Sequence, residues 1–302
     1  MTGTLLEPPA ARQGPGPLPQ PLIEALDLAI SRLVVRMLPG DRRAAGVGVG
    51  TELAQLRPYE IGDDVRHIDP AATARTGQAH VRLHVPERAL TTWIVLDVSP
   101  SMAFGTERRL KADVAEGVAL VFGRLGVRRA GSVGVVAFGA SAPRVLPPRG
   151  ARPGIVALRR MLAEGVAPDG QHHGDGLADA LQRVGRMARQ PGLVVVISDF
   201  RDQDGWERPL ASLRFHHSVL GVEIADPRES TLPSVGHLTL VDPETGDRIY
   251  VDTSRRRVRE RFAELERKRR EEFARELRRL RVDHVALNTD DDWLLALGRH
   301  LR

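Results

Sequence analysis

The chain has 302 residues, 42% hydrophobic but only 4% aromatic, enough Val, Leu, Ala and Ile to fill one large domain or a domain with an appendage. It contains no cysteine, which excludes disulfides, thiol nucleophiles and cysteine metal sites. The net charge of +5 rests almost wholly on arginine, with lysine only at Lys111 and Lys268; abundant Ala, Gly and Pro beside the Arg point to GC-rich coding rather than to a nucleic-acid or acidic-lipid surface.

Residues 1–20 are rich in Pro, Gly and Gln and read as a disordered or extended tail. From Pro21 to Leu38 the apolar residues Ile23, Leu26, Ile30, Leu33, Val34 and Met37 follow helical spacing. A glycine-rich linker follows at 39–51. Its G-V-G-V-G lacks the Gly-Lys-Ser/Thr of a phosphate loop. Residues 53–77 are dense in charge, and Glu60, Asp63, Asp64, Arg66, Asp69 and Arg75 are expected to pair among themselves and clamp a loop layer onto the sheet. Residues 78–85 alternate as in a half-exposed strand.

At Trp93 an apolar run (Trp93, Ile94, Val95, Leu96) stops at an acid, and Asp97, Ser99 and Ser101 form a D-x-S-x-S pattern. The run has the length and branching of a strand buried on both faces, with Asp97 at its carboxyl end, where open α/β sheets place their ligands. One carboxylate and two hydroxyls make an all-oxygen environment suited to magnesium, manganese or calcium; the plainer alternative is a turn with a helix cap. Beyond it the chain alternates: a helix at 107–126, a buried strand at 132–138, a short edge strand at 142–146 before a Pro-Pro turn, a helix at 154–162, a buried strand at 193–197 ending in Ser198-Asp199, and a strand at 218–224. That alternation predicts an α/β fold, a doubly wound and mostly parallel sheet flanked by helices. A hairpin is expected at 235–252, a long charged helix at 255–281, a last strand at 282–287 and a closing helix at 291–301 capped by Asp290. The domains follow: a tail at 1–20, a helix and charged extension at 21–91 packed on the main domain, and the main α/β domain at 92–302.

Leu56 to Arg75, then Glu87-Arg88, then Leu96-Asp97-Val98-Ser99-Pro100-Ser101-Met102 resemble the domain of unknown function 58 (DUF58) family, whose motifs read L-R-x-Y-x-x-G-D-D-x-R-x-I-D-W, A-R and D-x-S-x-S-M. Pro70 stands where the family usually has tryptophan. Asp226-Pro227, Glu229, Leu232-Pro233, Asp242 to Gly246 and Thr289 to Asp291 match its later pattern. The resemblance implies a von Willebrand factor A-type domain with a metal-ion-dependent adhesion site. By it, Ser99 and Ser101 bind the ion directly, Asp97 mainly through water, and Asp199 supplies the acid of the third loop. Asp175 falls at the second-loop threonine position, a departure that either adds a ligand charge or leaves the site incomplete. His172 and His173 share that loop and are expected to be exposed. Three acids at one sheet edge would repel each other without a cation, which argues for Mg2+ or Mn2+, with Ca2+ also suitable; the plainer alternative is that one acid is protonated or paired with a nearby arginine.

The functional expectation is a metal-ion-dependent protein–protein interaction module. The resemblance implies a MoxR-type AAA+ ATPase as partner in chaperone-like assembly or maturation, with an acidic partner side chain completing the ion's coordination. One alternative is a metal-assisted hydrolase, although no G-x-S-x-G or H-E-x-x-H occurs and no enzyme is expected. Another is nucleic-acid or acidic-surface binding by the Arg-rich helix, whose glutamates lie three or four residues from its arginines as internal pairs. With no run of about 18 uncharged apolar residues and no signal peptide, a cytoplasmic protein is expected.

Overall fold

The computed structural model describes residues 13–26, 52–60, 63–85, 90–106, 108–128, 131–170, 176–201 and 205–301. The chain divides into two compact units, Leu38–Ala89 and the remainder. This differs from the expected 21–91 extension: the helical residues 20–26 belong with the large unit. The expected linker at 39–51 and the rest of the helix at 27–38 lie outside the described residues.

In the small unit, β1 (Glu52–Pro58) and β2 (His80–Val85) pair antiparallel. The connection holds a 3-10 turn at Val65–His67 and α1 (Pro70–Thr76). Here Asp64 and Asp69 act as caps, while Asp63 and Glu60 pair with Arg57. Asp64 accepts from the Arg66 amide at 2.9 Å, and Asp69 accepts from the amides of Ala71 and Ala72 at 2.8 and 2.9 Å. Asp63 accepts from the Glu60 amide and pairs with Arg57 at 2.6 Å. Pro70 is exposed at the first helical position, where its missing N–H and fixed φ suit the start of a helix.

The large unit is built on β3 (Thr91–Asp97), β4 (Ser132–Phe138), β5 (Arg144–Gly150), β6 (Leu193–Ser198), β7 (Ser218–Ala225) and β10 (Asp283–Asn288). They form a six-stranded sheet in the order β5-β4-β3-β6-β7-β10. All neighbours are parallel except β5, which runs antiparallel to β4 at the edge. The expected Pro-Pro turn is instead part of β5: Pro147 and Pro148 lie in an edge strand at the irregularity where its register against β4 shifts, between Leu146 and Arg149, a place that tolerates missing N–H groups. The other five strands are joined through crossover helices; the apolar runs of β3, β4, β6 and β7 are buried on both faces, while β10, at the opposite edge, is only partly buried. Strand order reverses between β3 and β6. At such a reversal the connections depart to opposite sides and leave a crevice beyond the carboxyl ends of the strands.

One face carries α2 (Lys111–Gly126), whose Val114, Val118, Val121 and Phe122 are fully buried. α3 (Ala151–Ala163) lies beside it against β4 and β5. On the other face Trp93, Val95, Val136 and Phe138 form one core with α4 (Leu177–Met187), α5 (Glu207–His216) and the carboxyl half of α6 (Arg256–Arg279). α7 (Trp293–His300) covers β10, capped by Asp292 rather than by the expected Asp290. Part of the expected tail is ordered: the amides of Gln13 and Gly14 donate to Asp113 at 3.2 and 3.0 Å, and the Trp293 indole donates to the Pro15 carbonyl. Gly117 permits this, because a Cβ there would stand 2.3 Å from Trp293 and 2.9 Å from Pro15.

β8 (His237–Val241) and β9 (Arg248–Asp252) form the expected hairpin as a sheet of its own. Val241, Ile249 and Tyr250 are exposed on it, and a two-stranded ribbon with so little covered surface is marginal alone. Its base is held by Thr253, which donates to the Gly236 carbonyl, and by Arg259, which donates to the Thr253 carbonyl at 2.6 Å.

Gly139, just after β4, has φ +85°, and a Cβ on it would lie 2.7 to 2.9 Å from the Ser99 backbone and Cβ. Gly139→Ala combines left-handed strain with overpacking against the loop after β3. It is expected to destabilise the protein by about 3 kcal/mol in urea unfolding.

Candidate functional site

Asp97 ends β3 at the reversal point, and the chain turns at once into a 3-10 segment at Pro100–Ala103. The turn folds its hydroxyls back on the acid. The Ser99 amide and Oγ both donate to Asp97 Oδ1, at 2.9 and 2.5 Å, and Ser99 Oγ lies 3.0 Å from Ser101 Oγ. From the end of β6, Ser198 Oγ donates to Asp97 Oδ2 at 2.5 Å and accepts from the Phe200 amide. Asp97 is 2% exposed; burial first, then the charge of Asp199, push its carboxyl up to about 6 against the pull of these hydroxyls.

Asp199 also reaches this edge, but it is already paired. Lys111, the first residue of α2, is 0% exposed, and its Nζ lies 2.6 Å from Asp199 Oδ2 and 2.6 Å from Glu229 Oε1. Burial opposes the lysine's charge, yet the two carboxylates outweigh it and hold the ammonium above the usual lysine range. Burial likewise opposes the Asp199 charge, and Lys111 outweighs it, holding the carboxyl below its ordinary range. Asp199 Oδ1 accepts from the Arg201 amide at 3.1 Å. The Arg201 side chain bridges Glu229 and Glu266, and Arg269 joins Glu266 to the Phe200 carbonyl. Phe200 has φ +51°, so this linkage holds a strained residue at the end of β6.

Of the five expected ligands, Asp97, Ser99 and Ser101 therefore come together as one cluster. Asp199 is met by a buried ammonium, which compensates its own charge within the chain, although its charge still raises the neighbouring Asp97. Asp175, with His172 and His173, lies outside the described residues. Among the described residues no group of three or more His, Asp or Glu side chains is arranged to hold a metal. Asp97, Ser99 and Ser101 keep an all-oxygen cluster, whereas the acid expected from the third loop, Asp199, carries an ammonium in place of an expected Mg2+, Mn2+ or Ca2+ ion.

Reading the sequence missed four participants. Lys111 has one signal, its rarity, since only two of the 44 basic residues are lysine. Ser198 was visible as a strand end. Glu229 and Glu244 fall in the quoted late motif, which carries no chemistry of its own. Glu244 sits at the tip of the β8–β9 hairpin, and its Oε1 accepts from the Ser101 amide at 3.0 Å. Beside it the Pro243 carbonyl accepts from the Gly170 amide at 2.8 Å. A carboxylate is thus seated on the amide next to the Ser99 and Ser101 hydroxyls.

Asp226, fully buried at the end of β7, braces the loops around this site. It accepts from Thr106 (amide and hydroxyl), from the Thr289 hydroxyl at 2.6 Å and from the Arg228 amide. Its own amide donates to Glu229 Oε2 at 2.9 Å.

The family described as protein of unknown function DUF58 matches residues 55–272. This chain belongs to that family. An uncharacterized protein of Mycobacterium tuberculosis is 36% identical over 282 residues, covering 92% of the DUF58 chain and 87% of the relative. Among solved structures, a von Willebrand factor type A protein from Catenulispora acidiphila aligns with TM-score 0.34 and 18% identity over 45% of this chain and 33% of that one. An aerotolerance-related membrane protein from Bacteroides fragilis aligns with TM-score 0.43 and 16% identity over 70% of this chain and 98% of that one. The sheet order and the helices on both faces agree with a von Willebrand A-like α/β fold. The expected cytoplasmic location does not stand, because proteins of this likeness include one described as a membrane protein. Among the described residues no helix is long and apolar enough to cross a membrane, and that does not locate the chain.

Burial opposes the Asp226 charge, but the hydroxyls of Thr289 and Thr106 and the amides outweigh it and hold the carboxyl below its usual range. Its stabilisation is then complete above the unfolded value of about 4 and lost as pH falls through the lower folded value. Asp226→Asn is expected to cost about 2 kcal/mol at pH 7 and to flatten the acid limb of a stability–pH curve below about pH 4.

Proposed function

We propose that this DUF58 protein is a protein–protein interaction module whose docking site is the carboxyl edge of the sheet around Asp97, Ser99 and Ser101, and whose partner presents a carboxylate there. The observation that carries this is the Glu244 carboxylate on the Ser101 amide, 143 residues away in sequence, on a hairpin otherwise largely exposed. A site that holds one carboxylate through the Ser101 amide N–H can offer that amide, and the Ser101 hydroxyl turned away from Ser99, to another, while the Ser99 hydroxyl stays on Asp97. The hairpin tip is then an internal occupant that a partner's Asp or Glu displaces. Leaving involves a few bonds at the tip, while the base stays anchored through Thr253 and Arg259.

The partner class implied by the family resemblance is a MoxR-type AAA+ ATPase, in chaperone-like assembly or maturation. The reading assigns no reaction to the chain. It also does not use α6 as a nucleic-acid surface, because many of its arginines are engaged with their own helix's glutamates: Arg256 with Glu260, Arg261 with Glu264, Arg267 with Glu271.

A purified MoxR-type ATPase and fluorescent peptides bearing one Glu or the matching Gln test the reading by anisotropy. Glu peptides are expected to bind and Gln peptides to fail. Glu244→Ala is expected to raise affinity about tenfold, the equivalent of one competing charge-assisted hydrogen bond, and Ser99→Ala with Ser101→Ala to lower it. Equal binding of Glu and Gln peptides, or affinity unmoved by Glu244→Ala, overturns the carboxylate site. Failure of the ATPase alone removes only that partner.

A further inference from the structure

We infer that Lys111 supplies, as a tethered ammonium, the positive charge that a divalent ion would bring to Asp199, so that this edge of the sheet is assembled without metal. The inference is independent of what docks at Ser101.

Four observations converge on it. First, the lysine side chain is wholly buried, and both carboxylates it meets are within charge-assisted hydrogen-bond distance, 2.6 Å each, with Asp199 3% and Glu229 11% exposed. A buried ammonium persists only when it is paired this way. Second, Asp199 and Glu229 each already meet a positive group. Lys111 and Arg201 face Asp199 and Glu229, and an added divalent cation would meet an ammonium already on the same carboxylate. Third, the Asp97 oxygens each accept a hydroxyl at 2.5 Å, from Ser99 and from Ser198, so this acid is satisfied by neutral donors. Fourth, a chain whose basic residues are otherwise arginine apart from Lys268 has lysine here. The position is the first turn of a buried helix, where a compact ammonium on a flexible stem reaches two acids. The Phe104 ring, its centroid 5.9 Å from Nζ, shields the remaining side.

The geometry also makes Lys111 a positioning residue. It ties the end of β6 to the 3-10 turn at Pro227–Glu229, from which the chain runs on to the β8–β9 hairpin. An ion bound reversibly in its place would make that connection depend on metal supply; a lysine makes it permanent.

Mn2+ alone, read by electron paramagnetic resonance, and thermal unfolding with EDTA or with about 10 mM Mg2+ test this on the full chain. Wild type is expected to take up no stoichiometric Mn2+, and its Tm is expected to stay within about 1 °C in chelator or in Mg2+, since a ligand that does not bind the folded state shifts nothing. Lys111→Met is expected to lose roughly 10 °C in Tm, as removing one partner of a buried pair does in a domain of this size. It is also expected to gain Mn2+ binding that Asp199→Asn in the same chain abolishes. One Mn2+ per wild-type chain, lost on Asp199→Asn, overturns the inference, and so does a wild-type Tm that falls in chelator. Because the wild-type titration decides by itself, the inference stays open to refutation even if Lys111→Met does not fold.

Discussion

A single ammonium group, sealed from water and held between two carboxylates, is the constraint around which the carboxyl edge of this sheet is arranged. Asp199 comes from the end of β6, Glu229 from the turn after β7, and Lys111 from the start of α2. Taking such charges out of water is costly, and the cost is offset only if every partner keeps its place. The surrounding groups do keep them there. Arg201 holds Glu229 and reaches Glu266, Arg269 grips the same glutamate and the Phe200 carbonyl, and Asp226 fixes the loops that carry Thr106 and Thr289. The linked bonds run from the middle of the sheet to the long helix α6.

This arrangement separates two jobs that an ion-dependent site would combine. Charge compensation falls to Lys111, in the interior. Under the proposed function, recognition falls to the turn after β3, where the Ser101 amide and the Ser99 and Ser101 hydroxyls sit at the reversal of strand order. Asp97 stands between them. Its oxygens take hydroxyls from both neighbouring loops, so the acid orders the turn and does not itself face a partner. The hairpin then reaches over this turn, with a tip that touches it and strands that are mostly exposed. A marginal ribbon held at base and tip is a natural element to give way at the weaker end.

Much of the fold was legible because it is local. Runs such as Trp93–Leu96 and Leu193–Ile197 can be buried on both faces only in a covered parallel sheet, and the helical stripe of α2 needs only its own spacing to be seen. The D-x-S-x-S turn was legible for the same reason, since its bonds join residues two apart. Edge details were not. The Pro-Pro pair reads as a turn until β4 is found to leave an open edge beside it, and the Pro/Gly tail reads as disordered until Asp113, Gly117 and Trp293 offer it a groove. The charged stretch at 57–75 reads as a salt-bridge network, whereas its aspartates mostly satisfy helix-start amides within three residues.

By itself, then, the amino-acid order determined the layered α/β architecture, the family, and the acid with two hydroxyls at the end of β3. Those follow from periodicity and from neighbours a few bonds away. Only the tertiary structure decided what meets Asp199 and what rests on Ser101. The partners, Lys111 and Glu244, are 88 and 143 residues distant, brought there by the crossover connections and the hairpin. Residue spacing carries no record of such a meeting, because the Coulomb energy of a charge depends on which side chain the fold delivers within 3 Å of it and on how completely water has been removed.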